Sequence, residues 1–110
     1  MKRIGVTVMI NNNLFANGIN QNAIYLARVL KKCGYIVDLI CGNEKTINDV
    51  TEYEKEINVF SLEKSYNIRY NLIIQVGLTV NKDMFSKWSC KIICKFLARY
   101  WKTWLIYYAL

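Results

Sequence analysis

Apolar runs of strand length recur along the chain, and their positions predict the main elements of a sheet. Residues 4–10 are almost continuously apolar or small, a pattern typical of a strand that is covered on both faces. Residues 35–41 and 57–62 are rich in β-branched and aromatic side chains, and residues 72–77 form another apolar run that ends in glycine. These runs predict four strands.

Between the first two runs, apolar residues recur at steps of three and four and predict a helix over residues 21–32. Asn20 is suited to cap its first amides, and Ile19 and Ile24 occupy the positions of a hydrophobic staple. Gly34 is suited to the left-handed residue beyond the last turn. The predicted apolar stripe consists of Ala23, Leu26, Ala27, Leu30 and Cys33.

Strand, helix and strand in direct succession imply a parallel pair joined by a crossover. Within residues 44–56, Ile47, Val50 and Tyr53 stand three residues apart and predict one exposed helix, whereas residues 63–71 form a polar connection. This order of elements predicts an α/β domain with a Rossmann-like, doubly wound parallel sheet.

The net charge of +7 is unevenly distributed along the chain. Residues 1–86 hold 10 Lys/Arg and all 8 Asp/Glu, whereas residues 87–110 hold 5 Lys/Arg and no acid. The second part also contains all three tryptophans. We therefore expect a Rossmann-like domain over residues 1–87 and a basic aromatic tail over residues 88–110.

The tail has alternative interpretations. Residues 91–94 have the composition of a fifth strand, but four cations at steps of four, four and three would share one face of a helix. The helical alternative predicts a noncatalytic α/β module attached to an anionic membrane or a partner. A gene truncation or frame change, or a final strand and helix packed on the sheet, would also explain the tail. The membrane-contacting residues of the helical alternative are Lys91, Lys95, Arg99, Trp101, Lys102 and Trp104.

Composition and spacing disfavour nucleic-acid, metal and carboxylate sites. Residues 1–86 balance to +2, which provides little attraction for nucleic acid, and no recognition motif occurs. Histidine is absent and the cysteines lack paired CxxC spacing, so we expect no metal and reduced, buried thiols. Asp38 lies too early in its strand for a ribose-binding acid, and Glu52, Glu54 and Glu56 are expected to form a solvated face. The cysteines are Cys33, Cys41, Cys90 and Cys94.

The polar run that opens the first helix carries the candidate chemistry. In open α/β sheets, ligands bind beyond the carboxyl ends of the strands, and a helix start offers unpaired amides to a phosphate or a sugar hydroxyl. Gly18 lets the backbone approach a ligand closely, and the carboxamides around it suit hydroxyl groups. The predicted ligand-binding residues are Asn17, Gly18, Asn20, Gln21 and Asn22.

The same run has a simpler interpretation, in which Asn17 and Asn20 only shape a turn and cap the helix. Gly18 stands alone where the dinucleotide fingerprint requires three glycines, and the Lys-Ser/Thr pair of a P-loop is absent. The sequence therefore predicts neither of those two nucleotide sites.

A resemblance to a known family favours ligand binding. Residues 5–8 followed by residues 15–27, with the run Asn-Gly-Ile-Asn-Gln-Asn, resemble the amino-terminal signature of uncharacterised bacterial and phage or viral proteins considered GT-B-like glycosyltransferases. The segment Lys-Lys-Cys-Gly-Tyr and the strand at residues 72–77 are more loosely similar to retaining GT-B enzymes that build surface glycans. The resemblance covers most of residues 3–80.

The resemblance implies transfer of a sugar from a nucleotide sugar to the hydroxyl of a glycan or lipid-linked acceptor. It places residues 17–22 at a cleft between two Rossmann-like domains, with no bound metal or cofactor and the nucleotide sugar as donor substrate. Donor-binding residues of such enzymes lie mostly in the second domain, so we expect a fragment that is inactive alone. We also expect a cytoplasmic protein, peripheral to the inner membrane face if the tail is an anchor.

Overall fold

The computed structural model describes residues 2–8, 18–42, 44–76, 86–90, 92–96 and 104–108. Six strands and three helices lie within these ranges. The strands are β1 (Arg3–Val8), β2 (Ile36–Cys41), β3 (Asn58–Ser61), β4 (Leu72–Val76), β5 (Ile92–Phe96) and β6 (Trp104–Tyr108). The helices are α1 (Gly18–Lys32), α2 (Glu44–Tyr53) and α3 (Leu62–Ser65).

The six strands form one sheet in the order β3-β2-β1-β4-β5-β6. Neighbouring strands are parallel from β3 to β5, and β6 is antiparallel to β5. β1 pairs with β2 along its whole length, from Arg3 opposite Ile36 to Val8 opposite Cys41. The chain thus moves outward from β1 to β3 and then returns across β1 to β4. This is an α/β fold with a mainly parallel sheet.

One face of the sheet, the α1 face, is covered by α1 and α2 and holds the larger core. Ala23, Ile24 and Ala27 of α1 are buried, because small and apolar residues on one helical stripe allow close packing on the strands. Val50 of α2 joins the same core. The buried residues of this core are Ile4, Val6, Val8, Ala23, Ile24, Ala27, Val37, Leu39, Cys41, Val50, Ile57, Ile74 and Val76.

The opposite face, the Trp88 face, holds a smaller core made by α3 and the segments that follow it. Trp88 is 3% exposed, and its indole Nε1 donates a hydrogen bond of 2.8 Å to Ser65 Oγ. α3 begins after Ser61, whose hydroxyl accepts a hydrogen bond from the Lys64 amide over 3.1 Å. The buried apolar residues of this second core are Ile40, Tyr70, Ile73, Trp88 and Cys90.

Asp38 is fully buried at the centre of a hydrogen-bonded cluster on the Trp88 face. Its Oδ2 accepts hydrogen bonds from Arg3 Nε over 2.6 Å and from the Tyr70 hydroxyl over 2.9 Å, and its Oδ1 accepts one from Asn58 Nδ2 over 3.1 Å. The hydrogen bond to Asp38 raises the pKa of the Arg3 guanidinium. A buried carboxylate with three donors stabilises the fold only while all of its partners remain in place.

The α/β class is confirmed, and each of the four predicted strands is present. α2 begins at the predicted residue and ends at Tyr53. Gly34 has φ of 97°, as expected for the residue that follows a helix. Residues 92–96 form a strand, which confirms the strand alternative for that segment, and the helical alternative is wrong there.

Three local predictions are wrong. α1 begins at Gly18 rather than Gln21, so Ile19 and Asn20 lie inside its first turn and serve neither as a staple nor as a cap. α3 lies within the predicted polar connection, where four residues are too few to show a periodic pattern. Cys33 follows α1 and is exposed, so its predicted burial is wrong, whereas Cys41 and Cys90 are buried as predicted.

Two buried weak acids predict a loss of stability at alkaline pH. Burial raises the pKa of the Cys41 thiol from 9.0 to about 12, and burial beside Asp38 also raises the pKa of the Tyr70 hydroxyl. The unfolded chain releases these protons at lower pH than the folded chain. Their contribution to stability is therefore complete below about pH 9 and is lost as the pH rises toward about 12.

Urea unfolding at about pH 8 and about pH 10 should show the free energy of unfolding falling by about 1 kcal/mol or more. The free energy of unfolding of Cys41→Ala should fall by less over this pH range, because the variant lacks one of the two buried acids. Cys33→Ala is the control and should keep the wild-type dependence, since Cys33 is exposed. A wild-type stability that stays level over this range would contradict the prediction.

Candidate functional site at the carboxyl edge of the sheet

The connections of the sheet diverge between β1 and β4, and the carboxyl ends of both strands meet there. The chain leaves β1 at Val8 toward α1 and β2, whereas β4 lies on the other side of β1 and ends at Val76. Parallel pairing of Val6 with Ile74 keeps the two ends level. Ligands of open α/β sheets bind in the crevice at such a point, so this edge is the candidate site.

α1 brings the predicted ligand-binding run to this edge. Because α1 connects the carboxyl end of β1 to the amino end of β2, its first turn, which includes Gly18 and Asn20, lies at the candidate site. That turn contains no acidic residue, whereas α2 and α3 carry Glu44 and Glu63 in theirs. No carboxylate within the first turn of α1 therefore offsets the partial positive charge of its amides.

The predicted site residues fall within and just after this first turn. Gln21 and Asn22 are exposed, so solvent or a ligand reaches their carboxamides. Gly18 and Asn20 contribute backbone to the same turn. Asn17 lies outside the described residues. The structure thus brings four of the five residues together, and their contact with a ligand stays a prediction.

Two polar side chains of the strands also lie at this edge and were not predicted as site residues. The Thr7 hydroxyl accepts a hydrogen bond from the Val76 amide over 2.8 Å and donates one to the Val76 carbonyl over 3.3 Å, which ties β1 to β4. Gln75 is 1% exposed, and neither its Oε1 nor its Nε2 has a hydrogen-bond partner among the described residues. The available signal was a carboxamide inside the apolar run of residues 72–77.

A groove of about 450 Å³ lies at the other end of α1, away from the predicted site. Arg28 Nε lies 2.5 Å from Glu54 Oε2, and the Lys31 ammonium donates a hydrogen bond to the backbone carbonyl of Glu56. Glu54 is 6% exposed, so its predicted place on a solvated face is wrong, whereas Glu52 and Glu56 are exposed. The groove is lined by Arg28, Lys31, Lys32, Glu54, Glu56 and Ile57.

The predicted membrane-contacting residues do not form the helical face that suggested them. Lys95 lies in β5 and Trp104 in the antiparallel β6, whereas a face with steps of four, four and three exists only in a helix. The other four, Lys91, Arg99, Trp101 and Lys102, lie outside the described residues. In the described part of the chain, none of the helices has the length and apolarity needed to cross a bilayer.

Asp38 and the thiols supply no alternative centre. The Asp38 carboxylate is fully buried and bonded to Arg3, Tyr70 and Asn58, so it does not face the carboxyl edge as a ribose-binding acid would. Within the described ranges, no three side chains of the types that ligate metals come together.

One protein family matches most of the chain. Its model, described as Protein of unknown function (DUF2827), covers residues 4–99. No curated protein and no solved structure matches the chain. The matched range runs from β1 through β5 and includes both strands of the candidate site.

Proposed function

The chain belongs to the family described as Protein of unknown function (DUF2827), and we propose its function from the geometry of the candidate site. The proposal is a Rossmann-like domain of a GT-B-type glycosyltransferase, in which the carboxyl edge of the sheet supplies part of the site for a nucleotide sugar and its acceptor, and a second domain supplies most of the donor-binding residues. The observation that carries it is the divergence of the chain connections between β1 and β4, at whose carboxyl ends α1 begins.

The strand order supports the Rossmann-like part of the proposal. The spatial order β3-β2-β1-β4-β5 matches the first five strands in the strand order of doubly wound nucleotide-binding domains. α1 and α2 cover one face, and α3 contributes to the core of the other. A sheet covered on both faces leaves the strand ends as the natural place for a ligand.

The chemistry of the edge supports a nucleotide sugar. The amides in the first turn of α1 suit a diphosphate, because they donate hydrogen bonds and no acidic side chain of that turn competes for them. The exposed carboxamides of Gln21 and Asn22 suit sugar hydroxyls, which both donate and accept. In the proposed reaction, the glycosyl group passes from the diphosphate oxygen to an acceptor hydroxyl oxygen, with the acceptor proton released.

Gln21→Glu is expected to weaken the binding of UDP-glucose about tenfold, because the new carboxylate repels the diphosphate at short range. The same carboxylate should stabilise the fold by about 0.3–1 kcal/mol, because it lies near the positive end of the α1 dipole. NMR titration of isotope-labelled protein with UDP-glucose gives the dissociation constant, and urea unfolding gives the stability.

Thr51→Glu is the matched control, since it adds the same charge at an exposed position of α2. It should leave the affinity for UDP-glucose at the wild-type value. If wild type and Gln21→Glu bound equally well, the ligand would lie elsewhere. If UDP-glucose at millimolar concentration shifted no amide of residues 18–22, the nucleotide-sugar proposal would be rejected.

A further inference from the structure

The carboxamide of Gln75 is buried in the sheet, and no described residue forms a hydrogen bond with it. The side chain is 1% exposed, and Oε1 and Nε2 both lack a hydrogen-bond partner among the described residues. A buried polar group left in this state costs about 1–3 kcal/mol, so an apolar side chain of similar size would stabilise the fold more. Unsatisfied buried groups of this kind call for an explanation in function or in a bound molecule.

Gln75 lies at the carboxyl edge, on the Trp88 face of the sheet. Ile74 and Val76 belong to the core of the α1 face and Ile73 to the core of the Trp88 face, so the alternation of β4 places Gln75 on the same side as Ile73. Gln75 lies two residues nearer the carboxyl end of β4 than Ile73. The same edge contains the carboxyl ends of β1 and β4, where we place the candidate site.

No described side chain of the neighbouring strands forms a hydrogen bond with the Gln75 carboxamide. Thr7 of β1 lies close by, but its hydroxyl bonds in both directions to the Val76 backbone. On the other side, the register sets Lys95 of β5 opposite Gln75. Among the described residues, Gln75 is therefore an unsatisfied polar group beside the strand ends at the proposed binding site.

The two unpartnered atoms specify the chemistry of the missing group. Nε2 needs an acceptor and Oε1 needs a donor. A phosphate that is fully ionised supplies acceptors only and would satisfy Nε2 alone. A hydroxyl group both donates and accepts, so the hydroxyl-bearing part of a ligand satisfies the whole carboxamide.

We propose that Gln75 is a ligand-binding residue that hydrogen-bonds to hydroxyl groups of the molecule bound at the crevice. This inference rests on the proposed function and deepens it, because it assigns the recognition of the sugar-bearing part of the nucleotide sugar to β4. The diphosphate is left to the first turn of α1.

Gln75→Leu separates this role from a structural one. Gln75→Leu should be at least as stable as wild type to urea, because it removes an unsatisfied group, and it should bind UDP-glucose about tenfold more weakly. Its affinity for inorganic pyrophosphate, which has no sugar hydroxyl, should not change. Gln75→Met repeats the test with an unbranched side chain. Thr7→Val is the matched comparison and should lose stability, because it removes a hydroxyl that is bonded.

The outcomes distinguish this inference from the proposed function. If Gln75→Leu and Gln75→Met lost as much stability as Thr7→Val, Gln75 would have a partner inside the chain and the inference would be overturned. Unchanged binding of UDP-glucose by both variants, or an equal loss of pyrophosphate binding, would overturn it as well. A wild-type chain that binds no UDP-glucose would reject the proposed function and this inference with it.

Discussion

Asp38→Ala is expected to lower the free energy of unfolding by about 3 kcal/mol, the lower end of the range for breaking a buried ion pair. The substitution removes the acceptor of three hydrogen bonds and leaves the buried Tyr70 hydroxyl without its acceptor. The cost stays at the lower end because the Arg3 side chain is 31% exposed, so water solvates part of its charge. Urea unfolding at neutral pH measures the change.

Two further variants show whether the cluster is responsible. Tyr70→Phe deletes one donor and keeps the ring, so it should cost about 1 kcal/mol. Glu52→Ala removes an acid from an exposed position of α2 and should change stability by less than about 0.5 kcal/mol. A loss below about 1 kcal/mol for Asp38→Ala would show that the buried carboxylate is not held as described.

Trp88→Ala should cost about 3–5 kcal/mol, as for other large aromatic side chains removed from a core. Trp88 is almost fully buried, donates to Ser65, and its ring lies 6.1 Å from the Tyr66 ring between centroids. Its removal therefore leaves a cavity on the Trp88 face and removes the hydrogen bond that the Ser65 hydroxyl accepts. Urea unfolding again measures the loss.

The same variant tests the predicted boundary between residues 1–87 and the tail. If residues 88–110 were an addition that does not complete the fold, Trp88→Ala would be nearly neutral. Ser89→Ala, at an exposed neighbouring position, is the control and should change stability by less than about 0.5 kcal/mol. Equal stabilities of the two variants would favour the separate tail, and a large difference would place Trp88 within the domain.

The strands and the main helices were predictable because their patterns are long and local. A mostly apolar run predicts a strand buried on both faces, as for β1 and β4, and β-branched residues predict β2. The stripe of α1 repeats over several turns, and Gly34 marks its end by a backbone conformation that favours glycine. Such features need no knowledge of distant residues.

The start of α1 and the role of Glu54 were not predictable for different reasons. Asn20 is a good capping residue by type, but capping requires a position before the helix, and Gly18 already lies inside it. Glu54 looks like one of three alternating acids, but it is buried because Arg28, 26 positions earlier in the chain, lies against it. A pairing between two residues this far apart in the chain is not visible in the local pattern.

The candidate site was predictable in location more than in content. A polar run after the first strand of an α/β domain indicates the carboxyl edge, and α1 does begin there. Gln75 was not predicted as a site residue, because the sequence does not show whether an isolated polar side chain in a strand has a hydrogen-bond partner. Whether the Gln75 carboxamide has a partner depends on its neighbours in the fold. The Thr7 hydroxyl forms its hydrogen bonds with the Val76 backbone and not with that carboxamide.

The central position of β1 has a consequence for how the sheet closes. β2 follows β1 after one helix, but the contacts on the other side of β1 join groups as far apart in the chain as Arg3 and Asn71, 68 positions away. Contacts between groups this far apart in the chain close a long loop, so we expect β1 to pair with β4 later than it pairs with β2. The candidate site lies at the carboxyl end of this pairing between β1 and β4. A change that separates β1 from β4 would therefore disrupt the candidate site while β1, β2 and β3 stay paired.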